Sequence, residues 1–460
     1  MKIGLLPLYI KLYDDVAREA FRCRLDPFYV KVAKKFEDAG VEVVTNEFCR
    51  LKDEFDLAVK KFEENDVDCI VTIHMAYSPS LESVEALTKT SLPIVVLDTT
   101  ETFDFSDKQS DSEINYCHGI HGVMDMCNLL KRAKKPYAIA AGHFDESDVF
   151  ERCIGYVKAA KAATSLNGSK VGTIGGSFEG MGDFIVEDEE IKKAFGVDVV
   201  YSNTKEIEDI VADITADEIS KEVESYKNDF EIIGETSEKA LNLTAKTCLT
   251  VRKWIDKNSL NAFTVNFLKV GTGSGLDTMP FIEASKQMAN GTGYAGEGDV
   301  LTASIVGALM KGFRDTSFIE IFCPDWKNNQ LFLSHMGEMN LALTAKKPEI
   351  KEINFIYGQN AENPAVTYGC YKSGNAVFAN VYRDKDGFCL LLSPVEVNAE
   401  ETDNFKGNVR GWIKPQIEID KFLEEISYAG VTHHSVLIYD STPEQIAFFG
   451  RLLGVKVKVL

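Results

Sequence analysis

No stretch of this 460-residue chain approaches the ~20 consecutive apolar residues that cross a bilayer. The opening run Met1–Ile10 has the look of a leader, but Lys11, Asp14 and Asp15 follow at once without a small-residue cleavage site, so it reads as a first buried strand. Positive charge is in deficit: 50 Lys plus Arg face 71 Asp plus Glu, a formal net charge of −21. That balance excludes nucleic acid and anionic membranes as expected partners and leaves a small-molecule ligand. There is no CxxC pair among the ten cysteines, several of which sit inside apolar runs such as Cys69-Ile70-Val71. They read as reduced, buried thiols of a cytoplasmic protein. No GxGxxG follows the first strand, so no nucleotide is expected. Histidine is scarce, with seven in the whole chain.

What is present is an ordinary globular mixture, 45% apolar and 26% charged, long enough for about three domains of ~150 residues. Short apolar runs at Ile3–Leu6, Val41–Val44, Cys69–Ile73, Ile94–Leu97 and Tyr137–Ala140 alternate with helical patterns such as Pro27–Ala39 and Phe55–Glu64. That alternation predicts a parallel sheet covered by helices, with ligand-facing groups at the carboxyl ends of strands. A long helix near 147–165 leads to Asn167-Gly168-Ser169, a linker. A second α/β unit then starts at Lys170–Ile174 and continues through Val197–Tyr201 to Ala262–Phe267. Beyond about residue 320 the pattern turns to short strands, Ile353–Tyr357, Ala365–Tyr371, Ala376–Tyr382 and Phe388–Pro394, with Gly374-Asn375 and Asp386-Gly387 as expected tight hairpins. The expected architecture is therefore α/β. It has a Rossmann-like N-terminal domain over 1–168, a central parallel-sheet domain over 169–315, and a mostly antiparallel, barrel-like C-terminal domain over 316–460.

Four segments carry the chemistry: Gly293-Tyr294-Ala295-Gly296-Glu297-Gly298-Asp299, Phe318-Ile319-Glu320, Ser334-His335-Met336-Gly337-Glu338 and Val431-Thr432-His433-His434. Three of the seven histidines lie in them. Two carboxylates with two imidazoles form a mixed oxygen and nitrogen set, suited to Mn²⁺, Co²⁺ or Fe²⁺ with positions left open. The thiolates of a structural zinc site are missing. His433 and His434 are adjacent in what reads as a strand, where side chains alternate, so only one of them is expected to be a ligand.

In order and approximate spacing these segments resemble L-arabinose isomerase and, more broadly, the L-arabinose/L-fucose isomerase group. Ala262-Phe263-Thr264 with Phe267, Thr302-Ala303 and Ser317-Phe318 add to the match. The resemblance is strong over about 261–340 and at 429–436, and fainter but collinear elsewhere. It implies a three-domain subunit, a bound Mn²⁺ (or Co²⁺/Fe²⁺) ion and interconversion of an aldose and a ketose. It implies Glu297, Glu320, His335 and His434 as metal ligands, with Glu297 and Glu320 also the catalytic acid/base pair. The other residues it places at the substrate are Tyr9, Tyr77, His118, His121, Met181, Phe267, Asp299, Phe318, Glu338 and His433. It further implies a homo-oligomer, trimer or hexamer, whose active site is shared between copies. The chemistry is coherent on its own terms. Moving a proton between C1 and C2 of a sugar needs a base at carbon and acid/base help at the oxygens, and a divalent ion offsets the charge of an enediol(ate).

The chain departs from the family at its N-terminal end. Leu6-Pro7-Leu8-Tyr9 stands where the family carries Gln-His-Leu-Tyr. Its Gln and His, three residues apart, become His118 and His121. Its Phe-Gly-Asp-Asn-Met becomes Ile174-Gly175-Gly176-Ser177-Phe178 with Met181 nearby, and an aromatic Tyr becomes Phe322. These changes keep the isomerase chemistry and draw L-arabinose itself into question. Two other readings stay open: a metal-dependent epimerase or isomerase of another sugar or polyol, and a non-catalytic sugar-binding protein.

Overall fold

A computed structural model of the chain describes residues 1–399 and 403–460. They form two compact units, Met1–Thr164 and Ser165–Leu460. No helix among the described residues is long and apolar enough to cross a membrane.

The first unit is a five-stranded, all-parallel sheet. Its strands run in the order Glu42–Thr45, Lys2–Leu8, Cys69–His74, Ile94–Asp98, Tyr137–Ala141. All five expected strands are found, four of them extended by one to three residues and Val41–Val44 shifted by one to Glu42–Thr45. Leu6, Leu8, Ile70, Ile94 and Val96 pack beneath Phe55 and Phe62 of the helix Lys52–Glu64 and beneath Val123, Met126 and Leu130 of the helix Gly119–Arg132. Gly4 is required there, because a Cβ would lie 2.4 Å from the Phe62 ring. The expected helix Pro27–Ala39 is part of a longer one, Lys11–Asp38. Ala17 kinks it at φ −155° and Pro27 lies inside it.

The second unit opens with a four-stranded parallel sheet in the order Gly293–Gly296, Ala262–Val265, Lys170–Ile174, Asp198–Tyr201. The helix Val300–Gly312 is apolar nearly all round and buried over Val300–Met310, as expected of a helix covered on both sides. Six antiparallel strands then close on themselves: Gly374–Asp384, His434–Tyr439, Thr316–Asp325, Gln330–Leu333, Gly411–Pro415 and Gly387–Asn398, the last pairing back to the first. Within this ring, Gly411–Pro415 pairs with only the Val395–Asn398 end of the strand Gly387–Asn398. The C-terminal strand Lys456–Val459 adds in parallel to Gly387–Asn398.

Two local expectations fail. Ile353–Tyr357 is not a strand: pairing ends at Glu352, the Phe355 N–H bonds to the Asn363 side chain, and Ile356 is 75% exposed. Gly374-Asn375 makes no hairpin. It begins a barrel strand, while Ala365–Tyr368 pairs with Glu349–Glu352 in a separate three-stranded sheet. The Asp386-Gly387 hairpin does form, with Asp384 facing Gly387 across the turn.

Candidate active site

Glu297 stands at the carboxyl end of the edge strand Gly293–Gly296, where parallel sheets present ligand-facing groups. Its φ of 63° is left-handed, a conformation held only when the surroundings over-determine it. They do so here. The Phe178 N–H donates to the Glu297 carbonyl at 2.9 Å, and the Gly298 N–H donates to Thr264 Oγ1 at 2.9 Å. The Ser177 hydroxyl donates to the Gly298 carbonyl at 3.0 Å, and a Cβ on Gly298 would strike the Gly176 carbonyl at 2.2 Å.

The barrel supplies the other groups. Glu320 and His434 are direct cross-strand neighbours in the Thr316–Asp325 and His434–Tyr439 pair, which sets them side by side. His335 follows the strand Gln330–Leu333. Asn380 fixes the entry to the histidine strand by donating to the carbonyls of Thr432 at 2.8 Å and His434 at 2.7 Å.

Glu297, His433 and His434 come together as one group of donors, and Glu320, His335 and His434 as another; within each group the donor atoms lie within 4.8 Å of one another. His434 belongs to both. His434 Nε2 is 3.5 Å from Glu297 Oε2, and both atoms are buried without a hydrogen-bond partner. His335 Nε2 is 3.7 Å from Glu320 Oε2. Behind these rings stand carboxylates. Asp299 caps the helix Val300–Gly312 by accepting from the Thr302 N–H at 2.8 Å, and it accepts from His434 Nδ1 at 2.9 Å. Glu338 accepts from His335 Nδ1 at 2.5 Å and from the Tyr294 hydroxyl at 2.9 Å. Each imidazole is thus turned with Nε2 outward, the arrangement that fixes a metal-binding tautomer. Phe318 meets both rings edge-on at 5.0 Å, and Phe184 stacks on His434 at 5.1 Å.

The electrostatics set the two carboxylates apart. Burial alone would raise Glu297, but His433 and His434 outweigh it and hold it at about 2. Burial raises Glu320 above its usual range. Burial opposes charge on His434, yet Asp299 and Glu297 carry it up to about 10. His335 and His433 are likewise raised against burial, His335 by Glu338 and Glu320, His433 by Glu297 and Asp183.

The expected alternation of His433 and His434 does not separate them. His433 precedes the strand, so the two ring centroids are 4.2 Å apart and both Nε2 atoms lie 3.5 Å from Glu297 Oε2. Phe267 packs against Phe178 at 5.5 Å, and Met181 adjoins the same turn through its N–H to the Phe178 carbonyl. Tyr9, Tyr77, His118 and His121 belong to the first unit and form a group there. The Tyr13 hydroxyl meets His118 Nε2 at 3.1 Å, the His118 and His121 rings are 5.2 Å apart, and Tyr77 lies 4.7 Å from His121. The Tyr9 hydroxyl is buried without a partner. Asp183, Phe184, Asn380 and Tyr294 were not singled out from the sequence. Tyr294 alone carried a signal, by lying inside the Glu297 segment.

Residues 185–313 match the L-arabinose isomerase central domain and residues 315–456 the L-arabinose isomerase C-terminal domain, together more than half of the chain. The chain is 23% identical over 403 residues to the L-arabinose isomerase of Shouchella clausii, covering 86% of this chain and 82% of that one. It is 25% identical over 407 residues to that of Halalkalibacterium halodurans, covering 85% and 81%, and 26% identical over 404 residues to that of Bacillus subtilis, covering 84% and 79%. Among solved structures, a periplasmic solute-binding protein from Actinobacillus succinogenes 130z with bound D-allose matches at TM-score 0.18 and 12% identity, over 68% of this chain and 91% of that one, and carries no weight at that score. The class is that of the aldose–ketose isomerases, enzymes that shift a carbonyl along a sugar. The chain belongs to the L-arabinose isomerase family, as a divergent member.

Proposed function

We propose that the chain isomerises an aldose to its ketose through an enediol(ate), with Glu297, Glu320, His335 and His434 holding a Mn²⁺-type ion and Glu297 and Glu320 moving the proton. The observation that carries this reading is the pair of buried, unpartnered donors, Glu297 Oε2 and His434 Nε2, facing each other at 3.5 Å. Buried polar atoms without partners are costly, and a shared cation relieves both at once. Mixed carboxylate and imidazole donors fit Mn²⁺, Co²⁺ or Fe²⁺ better than Mg²⁺. When bound, such an ion polarises the sugar carbonyl and offsets the charge that builds on the two oxygens.

The protein's own groups do the rest. Asp299 and Glu338 keep His434 and His335 in the tautomer that presents Nε2. Glu297 and Glu320 lie in unequal environments, which suits one base at carbon and one acid at oxygen. Phe318 and Phe184 keep water from the backs of the rings. The protein works as a homo-oligomer in the cytoplasm, where Tyr9, Tyr77, His118 and His121 of one copy reach the sugar held by another. The family resemblance supports the sharing, and ten free cysteines fit a reducing compartment.

The test is a screen of aldopentoses, aldohexoses and deoxysugars with Mn²⁺-loaded protein, beginning with L-arabinose, the sugar in the relatives' names. Ketose formation from at least one is expected. No ketose from any sugar would overturn the reading.

A further inference from the structure

Three imidazoles, not two, face the site carboxylates, and each has a carboxylate at its back. His434 has Asp299 and His335 has Glu338. His433 has Asp183, which approaches from 250 residues earlier in the chain. Asp183 Oδ2 accepts twice from the same residue, from the His433 backbone N–H at 2.9 Å and from Nδ1 at 2.7 Å.

The three rings differ in surroundings. The side chains of His335 and His434 are 5% and 0% exposed, so packing adds to their carboxylates in confining them. His433 is 34% exposed, touched by Phe184 at 5.7 Å and by the His434 ring. A half-exposed imidazole samples several rotamers and both tautomers unless something binds it. A carboxylate only accepts, so the Asp183 contact requires the hydrogen on Nδ1. Nε2 is then turned away from Asp183 and lies 3.5 Å from Glu297 Oε2.

We propose that Asp183 is a positioning residue. It locks the ring of His433, with hydrogen on Nδ1, so that Nε2 is presented to a hydroxyl of the sugar held at Glu297. This inference rests on the sugar-isomerase reading of the same site. The two-point grip is the reason to assign positioning rather than surface pairing. An ordinary exposed ion pair fixes neither a tautomer nor a backbone N–H.

The test compares wild type, Asp183→Ala and Asp183→Asn. In metal-free protein labelled with ¹⁵N-histidine, long-range ¹H–¹⁵N spectra report the tautomer, with His433→Asn assigning the signal. Wild type and Asp183→Asn are expected to show His433 with hydrogen on Nδ1, since the amide oxygen still accepts, and Asp183→Ala a mixture of tautomers. With Mn²⁺ present, the tightest binder of a pentitol and hexitol panel should bind Asp183→Ala ~10-fold more weakly than wild type and Asp183→Asn within ~3-fold, the scale of one oriented hydrogen bond. Mn²⁺ content should be the same in all three. An unchanged tautomer or unchanged polyol affinity in Asp183→Ala would overturn the assignment, as would its loss of Mn²⁺, which would place Asp183 in support of the ligand set instead. Failure of wild type to bind Mn²⁺ or any polyol would defeat the isomerase reading itself, and the tautomer spectra remain readable in that event.

Discussion

Six of the seven histidines fall into two triplets, one in each compact unit, and the two triplets are built on opposite principles. In the second unit His335, His433 and His434 each donate Nδ1–H to a carboxylate, and all three are raised above the ordinary histidine range despite burial. In the first unit His74, His118 and His121 gather near the carboxyl end of the sheet with no carboxylate bonded to a ring. His74 has no partner at either nitrogen, and burial pushes it down to about 3. His118 meets a tyrosine hydroxyl and is lowered by burial. In the second unit the carboxylates fix each ring through Nδ1 and leave Nε2 facing the site carboxylates. Rings without that backing offer adaptable hydrogen bonds, which suits contact with hydroxyls. The comparison predicts that damage to His335 and His434 strikes turnover and metal, while damage to the first triplet strikes sugar binding and stability.

The largest expected effect is on turnover. Glu297→Gln and Glu320→Gln should each lower isomerisation of whichever aldose is turned over by ~10²–10⁴, with further loss where the ion is displaced. Glu338→Gln should lower it less. Near-wild-type rates for Glu297→Gln would remove it from the proton transfer. Next are the carboxylates behind the rings. Asp299→Asn and Glu338→Gln should weaken Mn²⁺ binding by roughly 10–100-fold in equilibrium dialysis. No change in either would mean that packing alone orients His434 and His335.

In the first unit, His118→Ala and His121→Ala should raise KM and leave Mn²⁺ content intact. Mixing His121→Ala with Glu297→Gln tests sharing between copies. Heteromers that regain partial activity are expected, and confirmed heteromers with none would refute it. The last effect, on stability rather than on function, belongs to His74. The unfolded chain takes up the His74 proton below pH 6.5, while the folded protein resists it until about 3. Folding stability therefore falls by about 1.4 kcal/mol per pH unit as pH drops through that window. His74→Leu should flatten this part of the pH dependence in urea unfolding, and an identical slope in both proteins would refute it.

The sequence carried the parts of the fold that local pattern dictates. Five strands of the first sheet and the Asp386-Gly387 hairpin were readable from neighbouring residues. It failed where distant partners decide. Ile353–Tyr357 has strand composition but no neighbour to pair with, and Gly374 lies in a strand because the barrel needs its length to close. Glu297, Glu320, His335 and His434 were readable as members of four segments, and the fold brings them together in one cluster. Asp183 was not readable, because a carboxylate 250 residues from its histidine leaves no local trace. Nor was the shared facing of His433 and His434, which depends on where the strand starts.

Glu297, Glu320, His335 and His434 are expected to complete a transition-metal site. Mn²⁺ titration followed by the loss of its free EPR signal tests it most directly, on wild type and on Glu320→Gln, His335→Ala and His434→Ala. One ion per chain is predicted for wild type, with at least ~10-fold weaker binding in every variant. Chelation should also lower the melting temperature, and Mn²⁺ or Co²⁺ should restore it better than Mg²⁺. Equal Mn²⁺ affinity in wild type and all three variants would contradict the account.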